Sequence, residues 1–204
     1  MNYPETLSQA WAQHLAPRLP NARTVISTFA GCGGSSLGYS MAGYRELLAV
    51  EWENNAAETF RLNFPDVPLH HGDIAKLSVS EVLDRCKIQP GQLDVFDGSP
   101  PCQGFSTAGK RNMKDPRNGL FREYCRLLEG LKPRAFVMEN VGGMVKGKMK
   151  FMFVEILKAL KACGYQVSAR LMNAMYFGVP QDRERIIFIG IHKSQKVTRE
   201  GCLQ

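Results

Sequence analysis

Short apolar runs alternate with amphipathic stretches along the chain, and most of the runs end in glycine, proline or an acid. Val25, Ile26 and Phe29 form a β-favouring run that ends in Ala30-Gly31-Cys32-Gly33-Gly34, after which Ser35 or Ser36 can cap a helix to about Gly43. A buried strand over 47–50 ends at Glu51, and 54–63 has helical character until Pro65 stops it. A weak strand over 67–71 ends at Gly72-Asp73, and a helix over 80–86 with Ser80 as its cap follows. The next strand, 93–97, runs into a loop over 98–118 rich in Gly, Pro and Lys. A loop of about twenty residues in a compact domain is usually functional. Helical spacing returns over 120–131, and a buried strand over 135–138 leads to Glu139-Asn140. A helix over 151–163 presents Phe153, Val154, Leu157 and Leu160, and strands over 165–171 and 186–191 complete the pattern. Before all of this, Leu7, Ala10, Trp11, His14 and Leu15 fall at helical spacing, which predicts a helix within an N-terminal segment, 1–23.

Strands alternating with helices predict a parallel, doubly wound α/β sheet, whose ligands sit at the carboxyl ends of the strands. The unusual residues lie at those ends: the glycines at 31, 33 and 34, then Glu51-Trp52, Asp73, Ser99-Pro100-Pro101-Cys102 and Glu139-Asn140. A length of 204 residues suits one domain with a real core. With 44% hydrophobic and 22% charged residues, collagen-like, disordered and coiled-coil classes drop out. The net charge of +7 favours a polyanionic partner while remaining compatible with many ordinary enzymes. No stretch approaches the roughly 18 apolar residues of a membrane span, and the first residues lack a basic start followed by an apolar run. A cytoplasmic protein with no membrane partner is expected. The 6 cysteines include no C-x-x-C pair, so neither a zinc site nor a disulfide framework is suggested.

Glycines at a first strand-to-helix turn let the backbone approach a ligand, and an acid after the second strand can hold both hydroxyls of a ribose. Glu51 lies about twenty residues past Gly31, where that rule places it. The third glycine of the dinucleotide fingerprint is absent, since Gly38 comes two residues late, and a nicotinamide cofactor is disfavoured. Trp52 offers a flat apolar face for an adenine, and Asp73 could accept from its amino group. The set fits an adenosyl ligand. Taken singly, each part has a plainer reading, the glycines as a tight turn and Trp52 as core. Their spacing within one βαβαβ unit favours function.

The reactive candidate is Cys102, on a proline-set loop after a buried strand, with Glu139 at the end of the next strand. A lone cysteine is more often an inert buried residue, and position is what raises this one. The 4 histidines form no hydrolase-like pattern, which argues against a Cys-His protease.

The segments Phe29 to Gly34, Glu51-Trp52, Gly72-Asp73-Ile74, Gly98 to Ser106, Glu139-Asn140-Val141 and Gln181-Asp182-Arg183-Glu184-Arg185 stand in the order seen in the C5-cytosine DNA methyltransferases. The chain resembles that family over about 24–192, with the Pro100-Pro101-Cys102-Gln103-Gly104-Phe105-Ser106 segment its most specific part. The resemblance implies S-adenosylmethionine as cofactor and a seven-stranded, mostly parallel Rossmann-like sheet with one antiparallel strand near its end. It implies that Phe29, Gly31, Gly33, Glu51, Trp52, Asp73, Ile74, Pro101 and Leu120 contact the cofactor. Cys102, Glu139, Arg183 and Arg185 would be catalytic, acting on a cytosine flipped out of double-stranded DNA. Gln103, Ser106, Lys110 and Arg111 would contact the DNA, whereas Lys146, Lys148 and Lys150 read better as a solvated face. Asn173, Tyr176, Gly178 and Pro180 would support the two arginines structurally.

Two departures stand out. Ser27 occupies a position where most members carry an acid, near the methionine end of the cofactor. After His192 a complete member continues into a target-recognition region and a closing helix, and the tail 193–204 supplies neither. This leaves a truncated chain, one subunit of a split enzyme whose second polypeptide carries the recognition region, or a chain whose N-terminal segment replaces the closing helix. The competing functions are an RNA cytosine methyltransferase of the same family and a cofactor- or DNA-binding module that is silent without a partner chain.

Overall fold

A computed structural model describes residues 6, 9, 13, 21–101, 119–145 and 150–195. Its strands are β1 (Thr24–Thr28), β2 (Arg45–Glu51), β3 (Leu69–His71), β4 (Val95–Gly98), β5 (Ala135–Val141), β6 (Tyr165–Asn173) and β7 (Glu184–His192). The helices between them are α1 (Gly34–Met41), α2 (Asn54–Asn63), α3 (Val79–Cys86), α4 (Gly119–Leu131) and α5 (Lys150–Ala162). Thr6, Gln9 and Gln13 are helical, and the rest of the expected N-terminal helix lies outside the described residues.

The seven strands form one sheet in the order β3-β2-β1-β4-β5-β7-β6. β1 to β5 are parallel, while β7 runs antiparallel to both β5 and β6. The chain winds outward from β1 to β3 and then returns beside β1 as β4. A crevice therefore opens at the carboxyl ends of β1 and β4, where ligands bind in sheets of this kind.

The central strands are covered on both faces: every residue of β1 and β4 is buried, the polar Thr24, Ser27, Thr28 and Asp97 included. The main core joins Ile26, Leu48, Phe96 and Phe136 of the sheet to Tyr124, Leu127 and Leu128 of α4 and Ile156 and Leu160 of α5. A smaller cluster, Ala30, Ala49, Phe60 and Phe64, packs α2 against the start of the glycine turn.

Three expectations are corrected. The cap of α3 is Ser78, whose side chain accepts from the Glu81 N–H at 3.1 Å, whereas Ser80 sits inside the helix with its Oγ 3.1 Å from that of Ser78. Ser78 with Glu81 has the spacing of a capping box, which the earlier start outcompetes Ser80 to make. α1 has no serine cap; it starts from Gly33 in the left-handed region, and Ser36 is buried beneath it instead. The hairpin strands β6 and β7 run longer than their apolar cores, to Asn173 and from Glu184, because ladder pairing continues through polar residues at the tip.

Candidate active site

At the carboxyl end of β1 the backbone turns sharply. Phe29 has φ 57°, and Gly31 and Gly33 have φ 56° and 95°. A β-carbon on Gly33 would lie 2.1 Å from the Phe64 ring, so only glycine fits there. Phe29 pays no such exemption: a left-handed aromatic residue is strained, and strain of this kind gathers at ligand sites.

Glu51 ends β2 and is 7% exposed. Its Oε2 accepts the Gly31 N–H at 2.7 Å, and its Oε1 accepts the Trp52 and Glu53 N–H groups at 2.8 Å each. The carboxylate thus ties the glycine turn to the end of β2. A carboxylate has about four acceptor positions, so Oε2 keeps capacity for a ligand hydroxyl.

Beside it lies a cavity of about 300 Å³ lined by Phe29, Val50, Glu51, Trp52, Gly72, Asp73, Ile74, Pro101 and Leu120. Seven of the nine residues expected at the cofactor are in that lining; Gly31 and Gly33 shape the turn behind it. Val50 and Gly72 were not anticipated, although both adjoin expected positions. Trp52 is not a core residue but stands 74% exposed at the rim. Asp73 Oδ1 accepts from the Ala75 N–H at 2.9 Å, capping the 3₁₀ turn Ile74–Lys76. That turn is held from behind by Arg126 of α4, whose Nη2 donates to the Ile74 and Leu77 carbonyls at 3.1 and 2.8 Å. No sequence signal marked Arg126 for this task. Apolar walls, one flat ring and two carboxyls suit an adenosine, and the residues present fit that ligand.

Two of the residues expected to be reactive meet across β5 and β7. The antiparallel register pairs Glu139 with Ile187 and Val141 with Arg185. Arg185 Nε thereby reaches Glu139 Oε1 at 2.8 Å, both side chains being partly exposed. Asn140 reaches the other way, its Nδ2 donating to the Pro100 carbonyl at 3.0 Å, which fixes the strand end that precedes Pro101. Arg183 is exposed, and its main chain is tied to Asn173: the Arg183 N–H reaches Asn173 Oδ1 at 3.3 Å. Asn173 Nδ2 also donates to Asp182 at 2.7 Å, so the β6–β7 tip is a built turn. Cys102, Gln103, Ser106, Lys110 and Arg111 lie outside the described residues, as do Lys146 and Lys148.

Ser27 is fully buried, and its partner in register on β4 is Asp97, an acid that is 8% exposed. The level of the sheet at which Ser27 departs from the family pattern therefore still carries a carboxyl. A second hollow, of about 370 Å³ between α1, the start of β2 and the α2–β3 connection, contains none of the expected site residues. Among the described residues no helix is long and apolar enough to cross a membrane.

The fold and crevice are those of a Rossmann-like methyltransferase. A solved structure described as a DNA modification methyltransferase from an E. coli prophage superposes with a TM-score of 0.72 at 31% identity, covering 88% of this chain and 50% of that one. DNMT2 of Spodoptera frugiperda shares the fold, with a TM-score of 0.65 at 24% identity. The family model for C-5 cytosine-specific DNA methylases matches residues 23–202, and the chain belongs to that family. It is 41% identical to the type II methyltransferase M.AquIA of Picosynechococcus, over 82% of this chain and 71% of that protein. It is 42% identical to M1.HphI of Haemophilus parahaemolyticus, over 86% of this chain and 47% of that protein. For M.DdeI of Desulfomicrobium norvegicum the identity is 40%, over 86% and 42%. The chain spans about half the length of most of these relatives.

Proposed function

We propose that this chain is the catalytic part of a DNA cytosine-5 methyltransferase, using S-adenosylmethionine and acting on a cytosine flipped out of duplex DNA. The observation that carries the reading is the placement of the Glu139–Arg185 pair and the Glu51-centred cavity at the carboxyl ends of one sheet. Phe29, Glu51, Trp52, Asp73, Ile74, Pro101 and Leu120 would hold the cofactor, with Gly31 and Gly33 shaping the approach. When bound, S-adenosylmethionine supplies an electrophilic methyl group.

C5 of cytosine is a poor nucleophile. Addition of the Cys102 thiolate to C6 forms an S–C6 bond and shifts electron density to C5 and N3. Glu139 gives a proton to N3, and Arg185 neutralises charge on the base carbonyl oxygen. After C5 has gained its methyl group it loses its proton to water, the S–C6 bond breaks as Cys102 leaves as thiolate, and N3 returns its proton to Glu139. Splitting the reaction in this way replaces one hard step with easier ones. Arg183 and the Gln103, Ser106, Lys110 and Arg111 group supply the DNA side of the site.

A target-recognition region, carried by a second polypeptide or by a longer form of this chain, completes the assembly. Met175, Tyr176, Phe177 and Val179 at the β6–β7 tip are 50, 82, 63 and 45% exposed, an apolar surface beside the reactive pair that such a region would cover.

The test is covalent trapping on a duplex containing 5-fluorocytosine, whose fluorine blocks the final loss from C5. An adduct that needs both S-adenosylmethionine and Cys102, and disappears in Cys102→Ser, is the expected result. Cofactor binding without any adduct would make the target-recognition region necessary for chemistry; an adduct in Cys102→Ser would remove the nucleophile assignment.

A further inference from the structure

Helix α1 docks with little apolar contact: its Leu37 packs, half-buried, against the Ala30, Ala49, Phe60 and Phe64 cluster, and the rest of its inner face is polar. Ser36 is its one buried residue, and the groups beneath it are acids from the strands on either side of β1. Ser36 Oγ donates to Glu46 Oε1 at 3.1 Å, and Tyr39 Oη donates to Asp97 Oδ1 at 3.2 Å. Register explains the arrangement: Val25 pairs with Glu46 and Ser27 with Asp97, which puts both acids on one face of the sheet.

Burial opposes both charges. It pushes Asp97 up to about 6, with the charge of Glu139 adding, against the hydrogen bond from Tyr39. It pushes Glu46 up to about 7, with the charge of Asp97 adding, against the hydrogen bond from Ser36. The Tyr39 hydroxyl is raised by the same burial and by Asp97. A buried acid and a half-buried one are a poor way to dock a helix, and apolar contacts would hold it better.

Their location supplies a reason. α1 starts from Gly33, at the end of the turn that Glu51 ties down. Asp97 lies on β4, where Thr28 Oγ1 donates to its carbonyl at 2.9 Å, and the chain continues through Gly98 to Pro101 and Cys102. The Asp97 side chain thus bonds to the helix of the cofactor turn, while its backbone leads into the nucleophile loop. We propose that Asp97 is a positioning residue which, through Tyr39, holds the glycine turn of the cofactor cavity in register with the end of β4 and with Pro101, which lines that cavity. The proposal rests on the S-adenosylmethionine reading above.

Protonation removes one acceptor from Asp97, so cofactor affinity should fall as pH drops through about 6. The groups facing it are Tyr39 of α1 and Glu139 of β5, with Glu46 of β2 and Tyr124 of α4 also within electrostatic reach. Glu46→Gln removes the one neighbour that titrates near the same range.

The experiment is calorimetric titration of the full chain with S-adenosylmethionine from pH 5 to 8, together with thermal unfolding. Tyr39→Phe, which deletes a single hydroxyl, should bind about 2- to 10-fold more weakly at pH 7, the loss of one hydrogen bond, with unfolding temperature unchanged. Asp97→Asn should bind more weakly still and lose the acidic limb, while unfolding at pH 8 no earlier than wild type. Glu46→Gln should keep that limb. Wild-type affinity and pH profile in both Tyr39→Phe and Asp97→Asn would overturn the proposal, as would weaker binding that merely tracks lost stability. If the unaltered chain binds no S-adenosylmethionine at any pH, the cofactor reading itself fails, and this inference with it.

Discussion

The two halves of the site are built differently. The proposed cofactor half is mostly local: Gly31, Glu51 and Asp73 lie at the ends of three successive strands of one βαβαβ unit, Glu51 joins the first turn to the second by direct hydrogen bonds, and Pro101 and Leu120 close the cavity from beyond β4. The reactive half is assembled from distant pieces, since Glu139 and Arg185 meet only because β7 inserts antiparallel between β5 and β6. A local site forms whenever its unit folds. A site that spans the sheet forms only when the last hairpin has closed, and it can be disturbed without harming the other.

The largest separation of the halves should come from Arg185→Ala. Removing the guanidinium leaves Glu139 without its ion-pair partner and the base carbonyl without a counter-charge. Single-turnover methyl transfer should fall by roughly 10²- to 10⁴-fold, while S-adenosylmethionine affinity stays within about twofold. A parallel loss of cofactor binding would show that the halves are not separable.

Glu51→Ala attacks the other side. Three backbone N–H groups lose their acceptor, and cofactor binding should weaken by about 1.5 to 3 kcal/mol, read by calorimetry. Unchanged affinity would place the cofactor elsewhere.

A similar magnitude, but in stability, is expected at Glu46. Its folded value is raised from 4.5 to about 7, so the native state holds a proton that the unfolded chain has released. This contribution is fully present below about pH 4.5 and is lost as pH rises through about 7. Glu46→Gln should therefore be more stable than wild type at pH 8, by on the order of 1 to 3 kcal/mol, and nearly equal to it at pH 4. Equal denaturation midpoints at both pH values would mean that Glu46 titrates normally. The smallest effect belongs to Ser78→Ala, which removes the α3 cap, far from both halves, and should destabilise by about 1 kcal/mol without altering cofactor binding.

The sequence by itself determined the order of elements, because short apolar runs bounded by glycine and acids have few alternatives in an α/β chain. It also brought together the residues that line one cavity: Gly31, Glu51 and Asp73 sit at or just after the ends of consecutive strands, so chain order is already spatial order. Hairpin length was less legible. β6 reaches Asn173 and β7 starts at Glu184 because backbone pairing carries polar residues that no hydrophobic period marks. The cap at Ser78 was missed because several serines compete locally, and only geometry shows which hydroxyl meets the Glu81 N–H.

The family resemblance named Glu139 and Arg185, but only the tertiary structure brought them to 2.8 Å, through a register that chain order does not encode. The same holds for Arg126 behind the Ile74 turn and for Asp97 and Glu46 beneath α1. Each is an ordinary charged residue in the sequence. Which face of a strand it takes, and which helix then covers it, is settled by the pairing of strands far apart in the chain, and that pairing decides whether a charge is solvated or must find a partner.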